Sequence, residues 1–241
     1  MIKMIAPRKF NLQFLRKVKE SEDAYSFYFE KKDLEYSAGQ YMKVVLDIKD
    51  PDDRGNSRFF TLSSSPDEDQ IRITTRIIQS SFKIAFSELS PGQEISFNGP
   101  FGNFVLTDDK KPLLFLAGGI GVTPFRSMIK YVADNGLARQ INLFVSWSNS
   151  EEMVYHEEFG KISKEHKNFI YVPTITHPDR NNWDGEIGRI DKEKIEKYTR
   201  GFSDSIFYLS GPQVMVEAME KMVEEMGIGE EQIKTDKFPG Y

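Results

Sequence analysis

The chain has no cysteine, three histidines and no long uninterrupted hydrophobic run. Without cysteine there are no disulfides, no thiolate nucleophile and no cysteine-held iron–sulfur cluster. His156, His166 and His177 show no metal-ligand spacing, so no metal site is expected. The most apolar stretch, "PLLFLAGGIGVTPF", is too short and too rich in glycine to span a bilayer. The opening "MIKMIAPRKF" lacks the apolar core of a secretion signal, and a cytoplasmic location is expected. A formal charge of -5 gives no global attraction for nucleic acid. What remains, 39% hydrophobic and 29% charged residues in 241, is ordinary globular composition, enough for two domains.

Two hydrophobic periods divide the chain. From Phe10 to about Phe104 apolar residues alternate, and "SAGQ", "DPDDRGN", "SPDED" and "SPGQ" interrupt them. The alternating segments "FNLQFLRKV", "AYSFYFE", "YMKVVLDI", "SRFFTLS", "QIRITTRII" and "EISFNG" predict an antiparallel β-barrel or sandwich. "QSSFKIAFSEL" breaks the alternation with helical spacing at Phe82, Ala85, Phe86 and Leu89. After "TDDKKP", wholly apolar strands alternate with amphipathic helices, which predicts a doubly wound parallel sheet of five strands. The expected domains are residues 1–107 and 108–241.

Two turns in the second half suit a nucleotide. In "FLAGGIGVTPF", Gly118, Gly119 and Gly121 follow a buried strand directly, with Thr123 as a helix cap and Pro124 at the first helical position. Glycines allow close backbone approach, and a helix start offers N–H groups to a pyrophosphate. The spacing is not the G-x-G-x-x-G of ordinary dinucleotide folds. "LSGPQVM" repeats the device, with Ser210, Gly211 and Pro212 at a strand end.

In the first half, "RFFTLSSSP" puts Arg58 and Phe60 on one face and Phe59 and Thr61 on the other. The alternation also suits a plain core strand. Arg58 presents a fork suited to phosphate, Phe60 a flat apolar face and Thr61 a hydroxyl, which together meet the needs of a flavin. The helix start at "SSFK" offers N–H groups for the same pyrophosphate. The sequence ends on "FPGY", a stiff, aromatic finish for a terminus.

"RFFT", "GPFGNF", "AGGIGVTPFRSM", "SGPQVM" and "FPGY", in this order, resemble the ferredoxin–NADP reductase family of flavoenzymes, in its group without a fused iron–sulfur domain. The resemblance runs from about Phe10 to Tyr241. It implies FAD contacts at Arg58, Phe59, Phe60, Thr61, Leu62, Ser63, Thr75, Ser80, Ser81 and Phe82. It implies NAD(P)H contacts at Gly118, Gly119, Ile120, Gly121, Thr123, Ser148, Gly211, Pro212 and Met215. It also implies that Tyr241 lies against the flavin ring on the face the nicotinamide must reach. Phe60 stands where the family usually has tyrosine and Ser210 where many members have cysteine, while the glycine that usually precedes the flavin-helix serine is absent from "QSSFK".

The implied activity is hydride transfer from NAD(P)H to FAD, followed by delivery of electrons to an acidic carrier such as ferredoxin or flavodoxin. Thr61, Ser210 and Tyr241 would shape the reacting rings, and Asp236 is the nearest candidate for proton exchange. Ser148, Asn149, Glu151 and Glu152 stand where an arginine would favour a 2′-phosphate, so NADH is the expected donor. Arg8, Lys9, Arg16, Lys17, Lys31 and Lys32 would steer the acidic carrier. Two other readings remain: a component active only within a larger electron-transfer complex, and a nucleotide-binding regulatory module without redox chemistry.

Overall fold

The computed structural model describes residues 5–178 and 183–238. Tyr241, with the rest of the terminal tripeptide, lies outside the described residues. The chain divides into two compact units, one of residues 1–108 with 126–131, the other of residues 109–125 with 132–241.

The first unit is built of strands β1 (Arg8–Lys19), β2 (Ala24–Glu30), β3 (Tyr41–Val45), β4 (Ser57–Thr61), β5 (Gln70–Arg76) and β6 (Glu94–Phe101), with helix α1 (Ser81–Ser87) after β5. The strands form one antiparallel sheet in the order β4-β3-β6-β1-β2-β5. It is the expected barrel, open as a half-barrel between β4 and β5. Just past β4, Ser63 N–H donates to the Arg72 carbonyl at 2.8 Å and bridges that seam. Alternation drives the closure: Leu12, Phe14, Phe27, Phe29, Val44 and Phe97 point inward and are buried. α1 plugs the interior with Phe82 and Phe86, whose rings lie 5.3 to 5.8 Å from Phe60 and, for Phe86, 4.3 Å from Phe27. Such ring pairs add about 1 kcal/mol each beyond the area they bury.

Residues 126–131 belong to this unit as well. Arg126 forms a two-pronged ion pair with Glu68 and donates to the Ser63 carbonyl at 3.0 Å. Ser127 Oγ donates to the Ser64 carbonyl at 2.6 Å. Two donors in neighbouring positions thus hold the loop that follows β4.

The second unit alternates strands and helices: β7 (Leu113–Gly118), α2 (Thr123–Asp134), β8 (Ile141–Trp147), α3 (His156–Glu165), β9 (Phe169–Ile175), β10 (Glu186–Ile187), α4 (Lys192–Tyr198), β11 (Ile206–Pro212), α5 (Gln213–Glu225) and β12 (Ile233–Phe238). All pair in parallel, in the order β10-β9-β8-β7-β11-β12. The five expected strands are present. β10 makes a sixth, and two residues carry no readable period. β7 and β8 are buried along their whole length, as strands covered on both faces must be. Chain order reverses at β7, which has β8 on one side and β11 on the other. That reversal opens a crevice at the carboxyl ends of β7 and β11, where both glycine turns lie.

Candidate functional site

β4 in the first unit alternates as its sequence predicts. Arg58 and Phe60 point inward, both 8% exposed, while Phe59 points outward and is 61% exposed. The structure therefore moves the available aromatic face from Phe60 to Phe59. Phe60, with no hydroxyl to satisfy, packs on Phe82 and Phe86. Phe59 stands edge-on to Tyr41 at 5.6 Å and to Phe101 at 6.3 Å, with Lys43 Nζ 6.0 Å above its ring. Thr61 sits opposite Tyr41 on the same outer face. Three rings and a hydroxyl make an apolar platform with one polar handle. Tyr41 was not picked out from the sequence, and Phe101 only as part of "GPFGNF" without a role, because their strands are aligned on β4 only by sheet pairing.

Arg58 is not a free fork. Nη1 donates to the carbonyls of Arg54, Gly55 and Ser57 at 2.8 to 2.9 Å, and Nη2 pairs with Asp52 Oδ1 at 2.8 Å. It clamps the loop ahead of β4, a structural duty the expected phosphate role did not include. Leu62 and Ser63 are fully buried, Ser63 Oγ bonding the Arg72 carbonyl and Thr74. Ser80 caps α1 by accepting from Lys83 N–H, and Ser81 Oγ accepts from Asp52 N–H. Phe82 is a core residue, 0% exposed.

The available cation is Lys83, in the third position of α1. Its ammonium donates to Thr75 Oγ1 and, at 3.0 Å, to the Arg76 carbonyl, and it lies 5.1 Å from the Phe60 ring centre. Among the described residues no carboxylate lies within ion-pair distance of it. Desolvation, then the charges of Arg54 and Arg58, hold its pKa down to about 7 against the weaker pull of Asp23. A cation confined beside two others is the chemistry of an anion site. Platform and cations match the two ends of a flavin dinucleotide, so the residues present fit FAD.

In the second unit the β7 turn is built by close packing. A Cβ on Gly121 would fall 2.5 Å from Gly211 Cα and from the Ser210 carbonyl oxygen, and one on Gly118 would fall 2.3 Å from Met215 Sδ. Those glycines are needed by the protein itself. Gly119 is different: its φ is +51° and a Cβ there would meet nothing within 4 Å. This is an open cradle in a left-handed turn.

Thr123 does not cap the helix. Gly119–Val122 form a 3-10 turn that runs into α2, Thr123 is already helical, and its Oγ1 donates to the Ile120 carbonyl at 3.0 Å. No side chain caps that turn, so the free N–H groups belong to the glycines and sit nearer the strand end than expected. Ser210 Oγ is fully buried and has no hydrogen-bond partner among the described residues. Burying an unmet hydroxyl costs about 1–3 kcal/mol, so a polar atom of a ligand is its natural complement. Asp236 pairs in register with Ser210, and burial pushes its carboxyl up to about 6. Pro212 opens α5 and Met215 packs against Gly118. At the end of β8, Ser148 Oγ donates to Glu152 at 3.2 Å and Asn149 caps a turn over Ser150–Glu152. The cradle, its uncapped N–H groups and the unmet hydroxyl fit a nicotinamide dinucleotide.

Family models agree with both halves: an oxidoreductase FAD-binding domain matches residues 10–106 and an oxidoreductase NAD-binding domain residues 115–221. The chain belongs to the ferredoxin–NADP reductase family of FAD-dependent oxidoreductases. Over 214 residues it is 28% identical to one component of the Na(+)-translocating NADH-quinone reductase of Klebsiella pneumoniae, covering 82% of this chain and 52% of that one. The corresponding component in Actinobacillus succinogenes is 33% identical over 157 residues, 63% of this chain and 38% of that one. The chain thus spans about half or less of the length of these curated relatives. Among solved structures, the ferredoxin NADP+ reductase from Neisseria gonorrhoeae with bound FAD and NADP shares the fold, with a TM-score of 0.81 at 20% identity over 95% of this chain and 98% of that one. The Amycolatopsis cytochrome P450 reductase gives 0.83 at 22%, over 96% of this chain and 70% of that one.

Proposed function

We propose that this chain takes a hydride from NADH and passes the electrons through FAD to a protein acceptor. The observation that carries this reading is the open Gly119 cradle beside the unmet Ser210 hydroxyl, in a chain whose other unit presents the Phe59 platform. When bound, FAD supplies the exchange between a two-electron donor and one-electron acceptors. Tyr41, Phe59 and Phe101 would hold the flavin ring, and Thr61 would offer its hydroxyl to it. Lys83 and Arg54 hold the phosphates, with Arg58 keeping their loop in shape. On the nicotinamide side, the Gly119–Gly121 N–H groups take the pyrophosphate and Ser210 orients the carboxamide.

Asp236 would hold the proton for exchange, its pKa of about 6 placing it near the working range of a general acid. Tyr241 lies outside the described residues, and the family resemblance alone would assign it to the flavin face. Glu152, held by Ser148 and Asn149, repels a 2′-phosphate and selects NADH. We take residues 1–107 as the flavin domain and 108–241 as the nicotinamide domain. The location we propose is cytoplasmic; among the described residues no helix is long and apolar enough to cross a membrane.

The acceptor we propose is a small acidic carrier, such as a ferredoxin or flavodoxin. Arg8 is paired with Asp33, and Lys32 with Glu30 and Glu94, so steering falls to Lys9, Arg16, Lys17 and Lys31. The greater length of the quinone-reductase relatives favours a second reading, a reductase module that works inside a larger assembly. An anaerobic titration with NADH and NADPH, following flavin absorbance, tests both. Bleaching by NADH at lower concentration than NADPH is expected. A protein that holds no flavin, or a flavin that neither donor bleaches, would overturn the reading. Turnover of NADH with an artificial acceptor but with no small carrier would favour the module.

A further inference from the structure

The part of α2 that belongs to the first unit directs its polar side chains at one loop. Arg126 and Ser127 are both buried. The Arg126 guanidinium donates to the Ser63 carbonyl at 3.0 Å and forks onto the Glu68 carboxylate. Glu68 in turn accepts the Ser65 N–H at 2.6 Å. Ser127 Oγ donates to the Ser64 carbonyl at 2.6 Å. Three successive residues, Ser63 to Ser65, are therefore held by their main chain. The next residue of α2, Met128, packs on a different segment: a Cβ on Gly39 would collide with its methyl group and with the Phe104 carbonyl oxygen. Gly39 leads into Gln40, whose carbonyl accepts the Leu62 N–H at 2.9 Å. Ser63 lies two residues beyond Thr61 and Gly39 two before Tyr41, and Thr61 and Tyr41 are partners across β4 and β3. One stretch of α2 thus grips both chain segments that adjoin this pair.

We propose that Arg126 and Ser127 are positioning residues for flavin reduction, fixing the Thr61 hydroxyl through the Ser63 and Ser64 carbonyls. The proposal rests on the FAD reading above and deepens it. Stability alone does not call for this arrangement. Taking a guanidinium out of water is costly, and replacing a buried ion pair by uncharged groups of similar volume is often neutral or stabilising. What a forked, charged contact supplies and an apolar one does not is a fixed direction. Direction matters here because Leu62 alone separates Thr61 from the first held carbonyl, so a shift of the loop carries the hydroxyl with it. A misplacement of about 1 Å can cost about 100-fold in rate, and a hydroxyl loosened rather than lost should cost less, about tenfold. Because both residues act through this main chain, their effect on the reaction exists only while Thr61 has a hydroxyl to place.

The test uses the full chain with FAD bound and follows anaerobic bleaching of the flavin over a range of NADH concentrations, alongside the visible flavin spectrum and the melting temperature. Arg126→Met combined with Glu68→Gln removes both charges and keeps an acceptor for the Ser65 N–H. In this pair the limiting bleaching rate should fall about tenfold, while the NADH concentration giving half of it stays within about twofold of the parent's. The flavin absorption band should shift and the melting temperature should be unchanged. Ser127→Ala, which removes one neutral hydrogen bond, should lower the rate by about threefold. Arg126→Lys keeps the charge and one donor, and should recover part of the rate. The deciding background is Thr61→Val, which keeps the shape and lacks the hydroxyl: there the Arg126→Met and Glu68→Gln pair should cost less than about twofold further. A loss that Thr61→Val left undiminished, or a lowered melting temperature with rate and spectrum unchanged, would overturn the proposal and leave the flavin reading intact. A parent that binds no FAD, or whose flavin NADH does not bleach, would overturn both.

Discussion

The two units prepare for anionic dinucleotides by different physical means. The first gathers side-chain cations: Lys83, Arg54 and Arg58 stand at one end of β4, and an exposed aromatic face lies along the strand. The second has no lysine or arginine from Gly118 to Phe125 and relies on backbone alone, with Gly118 and Gly121 packed until a methyl group no longer fits and Gly119 left open. Point charges tolerate small displacements but answer to pH and salt. A backbone cradle is indifferent to both, and fails as soon as its packing is disturbed. The strands reflect the same division. A sheet with one wet face alternates, leaving room for Phe59 and Thr61 outside; a sheet covered on both faces cannot, so its ligand must bind at the strand ends.

Gly121→Ala should have the largest effect. Its Cβ would press on the backbone of Ser210 and Gly211, costing about 3 kcal/mol of stability and about 100-fold or more in NADH affinity. Gly119→Ala faces open space, and only its left-handed φ opposes it, by about 1–2 kcal/mol. Thermal melts with NADH titrations would separate them: if Gly119→Ala left NADH binding untouched, the cradle would have no ligand role.

Arg58→Ala removes the clamp on the 52–57 loop, and charged hydrogen bonds of this kind are worth about 1.5–3 kcal/mol. Flavin retention and stability should fall together by that scale. Lost retention at an unchanged melting temperature would mean that Arg58 serves the ligand directly.

Asp236→Asn should stabilise the protein in a pH-dependent way. The native carboxyl titrates near 6 against 3.8 when unfolded, so its burden is absent below pH 3.8 and complete above pH 6. The gain from asparagine should therefore reach about 3 kcal/mol at pH 8 and vanish near pH 4, at about 1.4 kcal/mol per pH unit of difference. Denaturant unfolding at the two pH values measures it; a gain independent of pH would mean that Asp236 is not the titrating group.

Deleting Tyr241 should have the smallest effect. If its ring covers the flavin, losing about 0.5–1.5 kcal/mol of stacking should tighten oxidised nicotinamide binding by roughly 2- to 10-fold. Unchanged affinity with a lowered melting temperature would make the residue a tail anchor only.

Much of this protein follows from its sequence alone. Alternation in "AYSFYFE" and unbroken apolarity in "INLFVSW" distinguish the two sheets because burial on one face or two imposes different periods. The glycine turns are equally legible, since close approach of backbones demands residues without side chains. The tertiary structure decided what depends on partners distant in sequence. It turned Phe60 inward and set Phe59 against Tyr41 and Phe101, because strand pairing aligns β3, β4 and β6. It engaged Arg58 with its own loop and, among the described residues, brought no carboxylate within ion-pair distance of Lys83. A residue's charge is written in its identity, but whether that charge is already neutralised depends on what folding brings within a few ångströms of it.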